Sequence, residues 1–208
     1  MRFYTIEDKD HREEVAVEGS DGSLYTLSSL GTRAADMNDL ICRYDGLKEQ
    51  IVSALAQADP ASCADDYRIL APIPVPRQDL LCLGVNYAEH IRETSDGIAF
   101  DKKTATVYFS KRTSRCNDPG GIIPYYDFVD SLDYEVELGV VIGRDAFRVT
   151  RDKALDHVFG YTIVNDVSAR NVQKKHGQWH LGKSLDGYTP LGPCIVTADE
   201  IGDVHDLE

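Results

Sequence analysis

The chain has 208 residues, of which 42% are hydrophobic and 27% charged, a composition that is ordinary for a globular protein with a good-sized core. Its formal net charge of -13 argues against nucleic acid and anionic membranes as partners, because their phosphates would be repelled. A small anionic substrate remains compatible with this charge, since a metal ion and a few lysines can invert the local field.

The five cysteines are odd in number and include no C-x-x-C pair. This pattern predicts reduced thiols in a cytoplasmic setting and argues against a disulfide framework or a zinc site. The first residues lack the apolar core of a signal peptide, and no apolar run approaches membrane-spanning length. We therefore expect a cytoplasmic protein that does not contact a membrane.

Residues 1–72 are predicted to form a small N-terminal α+β domain. The runs 14–18 and 23–27 flank a Gly-Ser-Asp-Gly turn, which is typical of a β-hairpin. Residues 37–41 and 46–55 carry apolar side chains at helical spacing and are predicted as helices. Nothing in this unit gathers catalytic residue types.

A linker is predicted at residues 71–76, where three prolines alternate with other residues and stiffen an extended chain. The second domain is expected to occupy residues 73–208. It opens with residues 80–85, a short apolar run that predicts a strand buried on both faces.

His90 and Glu93 follow this strand in a candidate helical turn. Their spacing of three places both side chains on one face, where a carboxylate can orient an imidazole and raise its basicity. Such a pair suits a general base, although the same spacing occurs in surface His–Glu pairs. Residues 94–105 have no clean period and could form a mobile lid.

The stretch 131–143 alternates apolar residues with Glu135 and Glu137 and is predicted to be a strand. Both glutamates project from one face, roughly 7 Å apart. Like charges this close repel and favour a neutralising cation such as a hard divalent metal. The alternative is an amphipathic strand with two solvated glutamates.

A second β-rich run, 158–168, contains Asp166 near its end. If the two strands are neighbours, Asp166 can meet Glu135 and Glu137. Three carboxylates with open coordination positions are typical of a catalytic magnesium-type centre. The residues themselves indicate a metal and no further detail.

Four ordered motifs resemble those of the fumarylacetoacetate hydrolase family, and together they cover residues 71–200. Residues 84–93 resemble its G-x-N-Y-x-x-H-x-x-E segment, and residues 133–138 its D-Y-E-x-E-L strand. Residues 165–173 are similar to its N-D-x-S-A-R-x-x-Q segment. Its G-K-S and P-x-G-P elements match residues 182–184 and 190–193.

The resemblance implies an α+β fold that is mostly β, in which a mixed β-roll catalytic domain follows a small N-terminal domain. It also implies further strands past residue 207 and a homodimer. The implied metal is Mg²⁺, with Mn²⁺ or Ca²⁺ as alternatives. The site residues that it implies are Glu135, Glu137 and Asp166 as metal ligands, His90 and Glu93 as the base dyad, Lys183 as a catalytic cation, and Gln173 and Lys111 as substrate contacts.

The chemistry that these residues fit is the hydrolysis of an acylpyruvate, a 2-oxo acid. His90 would take a proton from the water that attacks the distal carbonyl, and Lys183 would offset the negative charge that develops. The family also includes oxaloacetate decarboxylases and isomerases of hydroxymuconate-type compounds from aromatic catabolism, so both remain alternatives. A non-catalytic binding protein is a third, but it would not need a base beside the metal.

Overall fold

A computed structural model of the chain describes residues 1–84, 106–204 and 206–207. Its strands are β1 (Arg2–Glu7), β2 (Glu13–Glu18), β3 (Leu24–Thr26), β4 (Arg68–Leu70), β5 (Leu80–Gly84), β6 (Val107–Lys111), β7 (Leu132–Asp133), β8 (Val136–Ile142), β9 (Val158–Asn165), β10 (Ser168–Ala169) and β11 (Ile195–Thr197). The helices are α1 (Met37–Ala56), α2 (Arg170–His176) and α3 (His180–Lys183), with 3-10 turns at Pro60–Ser62, Arg151–His157 and Ala198–Glu200. The fold is α+β with more sheet than helix, as the sequence predicts.

A seven-stranded antiparallel sheet organises the described residues. Its main order is β3-β2-β1-β11-β9-β8, and β4 pairs with the far end of β1. The contact between β1 and β11 joins the first 72 residues to the later part of the chain within one sheet. Two further two-stranded pairs, β5–β6 and β7–β10, lie outside this sheet.

The predicted hairpin is confirmed by the pairing of β2 with β3. Its turn is stabilised by Asp21, whose carboxylate accepts a hydrogen bond from the backbone N–H of Ser23 at 3.0 Å. Gly22 follows with a φ of +80°, a conformation that glycine adopts without a steric penalty.

One helix, α1, replaces the two that the sequence predicts between residues 37 and 55. The Asp36 side chain caps its start by accepting from Asp39 N at 2.8 Å. The chain continues through Gly46 because Leu40, Leu47 and Ile51 share one buried face. Packing of that face outweighs the cost of a mid-helix glycine, about 1 kcal/mol.

The prediction that the strand at residues 80–85 is buried on both faces is wrong. In β5, Leu81 is 74% exposed and Leu83 is 46% exposed. The strand pairs with β6 alone among the described strands, so only one side of this two-stranded ribbon faces the rest of the molecule. That side carries Cys82 of β5 and Lys111 of β6.

The strand predicted over residues 131–143 is confirmed in part, because it is divided into β7 and β8. Glu137 lies in β8, whereas Glu135 lies in the short connection between the two strands. The predicted neighbouring strand is β9, which pairs with β8. The apolar side chains of β8 point outward and are exposed to between 37% and 67%, and they include Val136, Leu138, Val140 and Ile142. The opposite face, which carries Glu137, is half-buried.

No helix among the described residues is long and apolar enough to cross a membrane.

Candidate active site

Backbone pairing places Glu135 beside Asp166. Val136 of β8 lies opposite Asn165 of β9 in the antiparallel register. Just beyond this pair, the backbone N–H of Asp166 donates to the carbonyl of Glu135 at 2.7 Å. The Asn165 side chain closes the same corner by accepting from Glu135 N at 3.1 Å. These contacts bring two carboxylates together at one end of the strand pair.

Lys183 bridges the two carboxylates. Its ammonium group donates to Glu135 Oε2 at 2.6 Å, to Asp166 Oδ2 at 2.5 Å and to Ser168 Oγ at 2.9 Å. These three acceptors match the three N–H groups of a lysine ammonium. Lys183 is buried, so the pairing offsets a desolvation cost that an isolated charge would carry.

A glycine makes the close approach of Lys183 possible. A Cβ atom on Gly182 would lie 2.6 Å from the backbone nitrogen of Gln173 and 2.9 Å from the carbonyl oxygen of Ala169. Any larger residue would push α3 away from α2 and β10. The Gly-Lys-Ser sequence therefore places the lysine by close packing of the residue before it.

Lys111 approaches Asp166 from another side. Its ammonium group donates to Asp166 Oδ1 at 2.8 Å and to the backbone carbonyl of Val167 at 3.0 Å. The side chain is fully buried at 0% exposure. Burial lowers the pKa of Lys111, and the charge of Asp166 opposes that shift.

Arg170 belongs to the same network and is a site residue that the sequence did not predict. Its guanidinium donates to Glu135 Oε1 at 2.6 Å and to Asp133 Oδ2 at 2.8 Å, and a third bond at 3.0 Å reaches Gln173 Oε1. Since the guanidinium takes the amide oxygen, the amide NH₂ of Gln173 is left to donate elsewhere. The available signal was its place between Asp166 and Gln173 in a matched motif.

The cations keep Glu135 ionised. Burial alone would raise its pKa, but hydrogen bonds and charge from Lys183 and Arg170 outweigh burial and lower the pKa to about 2. Cys82 shows the opposite balance, because burial first and the charge of Asp166 second raise its pKa to about 11. Its thiol is protonated at neutral pH and is a weak nucleophile.

The structure brings together Glu135, Asp166, Lys111 and Lys183, and Gln173 joins them through Arg170. Glu137 lies on the half-buried face of β8, and its charge also raises the pKa of Cys82. His90, Glu93 and the rest of the predicted lid lie outside the described residues. Within the described ranges, no three acidic, histidine or cysteine side chains gather as a metal-binding group.

The donor chemistry of the two adjoining carboxylates fits a hard divalent cation, which prefers oxygen ligands. Glu135 and Asp166 both present such oxygens at the buried centre. Glu137 as a third ligand stays a prediction. The arrangement therefore carries part of the expected ligand set together with two ammonium groups and one guanidinium.

Perturbed pKa values such as those of Glu135, Lys111 and Cys82 cluster at functional sites. The sequence profile described as Fumarylacetoacetate (FAA) hydrolase C-terminal matches residues 79–208. The chain belongs to this family, as its motifs predict.

Known relatives differ in their reactions. The chain is 41% identical over 144 residues to the oxaloacetate tautomerase YisK of Bacillus subtilis, and the match covers 69% of this chain and 47% of that protein. The chain thus spans about half the length of this curated relative. A fumarylacetoacetate hydrolase structure from Exiguobacterium antarcticum is 35% identical, with a TM-score of 0.73 and coverage of 97% of this chain and 68% of that one.

A third relative was solved with a metal ion. Maleylpyruvate hydrolase from Sphingobium sp. SYK-6, in complex with manganese(II) and pyruvate, superposes with a TM-score of 0.70 at 24% identity. The match covers 98% of this chain and 69% of that one. At this identity the likeness concerns the fold.

Proposed function

We propose that the protein is a metal-dependent enzyme that stabilises the enolate of a 2-oxo acid. The observation that carries the proposal is Lys183, whose ammonium group sits at the junction of Glu135 and Asp166 with little solvent around it. A buried cation beside carboxylates can offset the charge that grows on a 2-oxo oxygen as an enolate forms. The YisK relative, an oxaloacetate tautomerase, supports a 2-oxo acid as substrate.

Glu135, Glu137 and Asp166 are the residues proposed to hold the metal, with Mg²⁺ favoured and Mn²⁺ or Ca²⁺ as alternatives. When bound, the metal would supply a Lewis acid for the carboxylate and 2-oxo oxygens of the substrate. Lys183 would offset enolate charge, and Gln173 would donate its amide N–H to a substrate oxygen. The clamp of Arg170 on Gln173 Oε1 supports that donor orientation.

Acylpyruvate hydrolysis is the first candidate reaction. His90, oriented by Glu93, would take a proton from water as the water oxygen attacks the distal carbonyl. The carbon–carbon bond then breaks, its electron pair stays on the pyruvate part as the enolate, and a proton later converts the enolate to pyruvate. The distal acyl group leaves as a carboxylic acid.

Keto–enol tautomerisation of oxaloacetate is the second candidate, and it is favoured by the 41% identity to YisK. It would pass through the enolate of oxaloacetate and needs a proton acceptor but no attacking water. Oxaloacetate decarboxylation would leave the enolate of pyruvate, and isomerisation of a hydroxymuconate-type acid would pass through the enolate of that acid. A binding protein without turnover would keep the pocket and show none of these activities.

A homodimer is part of the same proposal. The outward face of β8 exposes Val140 to 50% and Ile142 to 58%, and neighbouring Ile163 of β9 is 56% exposed. An apolar surface of this kind is typical of regions that another protein surface covers. A second copy of the chain is the proposed occupant.

The test is a substrate panel with Mg²⁺, using acylpyruvates, oxaloacetate and hydroxymuconate-type acids. We expect turnover of at least one and its loss on metal removal. Glu135→Gln should lower kcat/KM by more than about 100-fold, since even the outer partners of metal ligands cost about 10–100-fold. The matched control is Glu49→Gln on the exposed side of α1. Equal activity of both variants would contradict the assignment of Glu135, and no turnover of any substrate would favour the binding protein.

A further inference from the structure

Lys111 is a buried lysine for which the family resemblance implies a contact with the substrate. It ends β6, where Val107, Phe109 and Lys111 alternate with Tyr108 and Ser110 along the strand. The period of two turns Lys111 toward the interior. Its side chain is 0% exposed, and its ammonium group is already paired with Asp166 Oδ1 and Val167 O.

The two lysines at Asp166 have different neighbours. Lys183 takes Asp166 Oδ2 and also contacts Glu135 and Ser168, so it lies at the centre of the site. Lys111 takes the other oxygen and the main chain of the following residue. It thereby holds both the carboxylate of Asp166 and the short connection between β9 and β10.

We propose that Lys111 is a positioning residue that holds the Asp166 carboxylate through its Oδ1 atom in an orientation suited to metal binding, and not a residue that contacts substrate. This inference rests on the proposed function, because it concerns the ligand role of Asp166. A buried hydrogen-bonding partner restricts the orientation of a carboxylate ligand, and loss of such a partner typically costs about 10–100-fold in metal affinity or activity.

The change in metal affinity when the Lys111 ammonium group is removed distinguishes three roles for this residue. By charge alone, removing an ammonium group near a cation site would strengthen cation binding. Loss of a positioning contact would weaken it, because the carboxylate is no longer held in place. Loss of a substrate contact would leave metal affinity unchanged and weaken binding of the organic acid.

The experiment measures Mn²⁺ binding to the purified full chain by isothermal titration calorimetry. The variants are Lys111→Met, Lys111→Gln and the matched control Lys175→Met, which changes an exposed lysine of α2. Pyruvate is then titrated at saturating Mn²⁺. Circular dichroism checks the fold, and Lys111→Gln serves if Lys111→Met does not fold, since it keeps a hydrogen-bond donor.

We expect Lys111→Met to raise the Kd for Mn²⁺ by about 10–100-fold, with a smaller rise in Lys111→Gln and none in Lys175→Met. Pyruvate affinity at saturating Mn²⁺ should stay within about threefold of wild type. An unchanged or lower Kd for Mn²⁺ in both Lys111 variants would overturn the proposal. If wild type itself binds no Mn²⁺, the proposed function fails first, and this inference falls with it.

Discussion

The core beneath α1 and the site at the end of β8 are built in opposite ways. In the first region, Phe3, Met37, Leu40 and Ile51 are fully buried, and the charged side chains lie outside. At the site, charged groups fill the interior, while Val140 and other apolar side chains of β8 face outward.

The difference separates stability from function. Burial of apolar area stabilises the first region at about 25 cal/mol per Å². A buried ionic cluster contributes little net stability, because desolvation offsets most of the attraction, yet removing one partner is costly. The site therefore depends on every member being present, whereas the apolar core depends on total packing.

Two valines on strands of the two regions give the largest contrast. Val17 of β2 is 0% exposed and Val140 of β8 is 50% exposed. Val17→Asp should unfold the protein, because it buries a carboxylate without a partner. Val140→Asp should leave the melting temperature within a few degrees of wild type and convert the proposed dimer to a monomer, measured by light scattering. A monomeric wild type would refute the dimer. Unfolding by Val140→Asp would refute the claim that this position, unlike Val17, tolerates a charge.

The contribution of the ionic site to the free energy of unfolding should decrease in acid. The pKa of Glu135 is lowered to about 2 from an ordinary value of 4.5, so ionised Glu135 stabilises the fold above about pH 4.5. That contribution, about 3 kcal/mol in the metal-free protein, is lost as the pH falls toward 2. Urea unfolding between pH 6 and about 2 should therefore show wild type and Glu135→Gln converging at low pH. If the free energies of unfolding of the two proteins instead differ by the same amount at every pH, ionised Glu135 does not stabilise the fold as stated.

A surface ion pair between the two parts of the chain should have the smallest effect. Lys48 of α1 donates to Asp199 at 2.8 Å, but their side chains are 39% and 54% exposed. Although the bonds from Lys48 and Thr197 lower the pKa of Asp199 to about 2, solvent screens such a pair. Lys48→Met should cost at most about 1 kcal/mol in the free energy of unfolding. A loss above about 2 kcal/mol would mean that the pair contributes as a buried one would.

Periodicity and motifs determined much of this protein from the sequence alone. The alternation over residues 131–143 predicted the strand that contains β8, and the Gly-containing turn predicted the β2–β3 hairpin, since both signals are local. The four ordered motifs predicted the family and placed Asp166 and Lys183 in one site. The dyad of His90 and Glu93 and the metal role of Glu137 stay predictions.

Tertiary structure decided what local patterns cannot encode. The pairing of β1 with β11 joins residues almost 200 positions apart, a contact that no short-range period reports. Which face of an apolar strand is buried depends on its neighbours. The strand β5 was therefore predicted correctly but its burial on both faces was not, and the outward apolar face of β8 was not anticipated. The same reason applies to Lys111 and Arg170, whose roles follow from the carboxylates that each one meets in space.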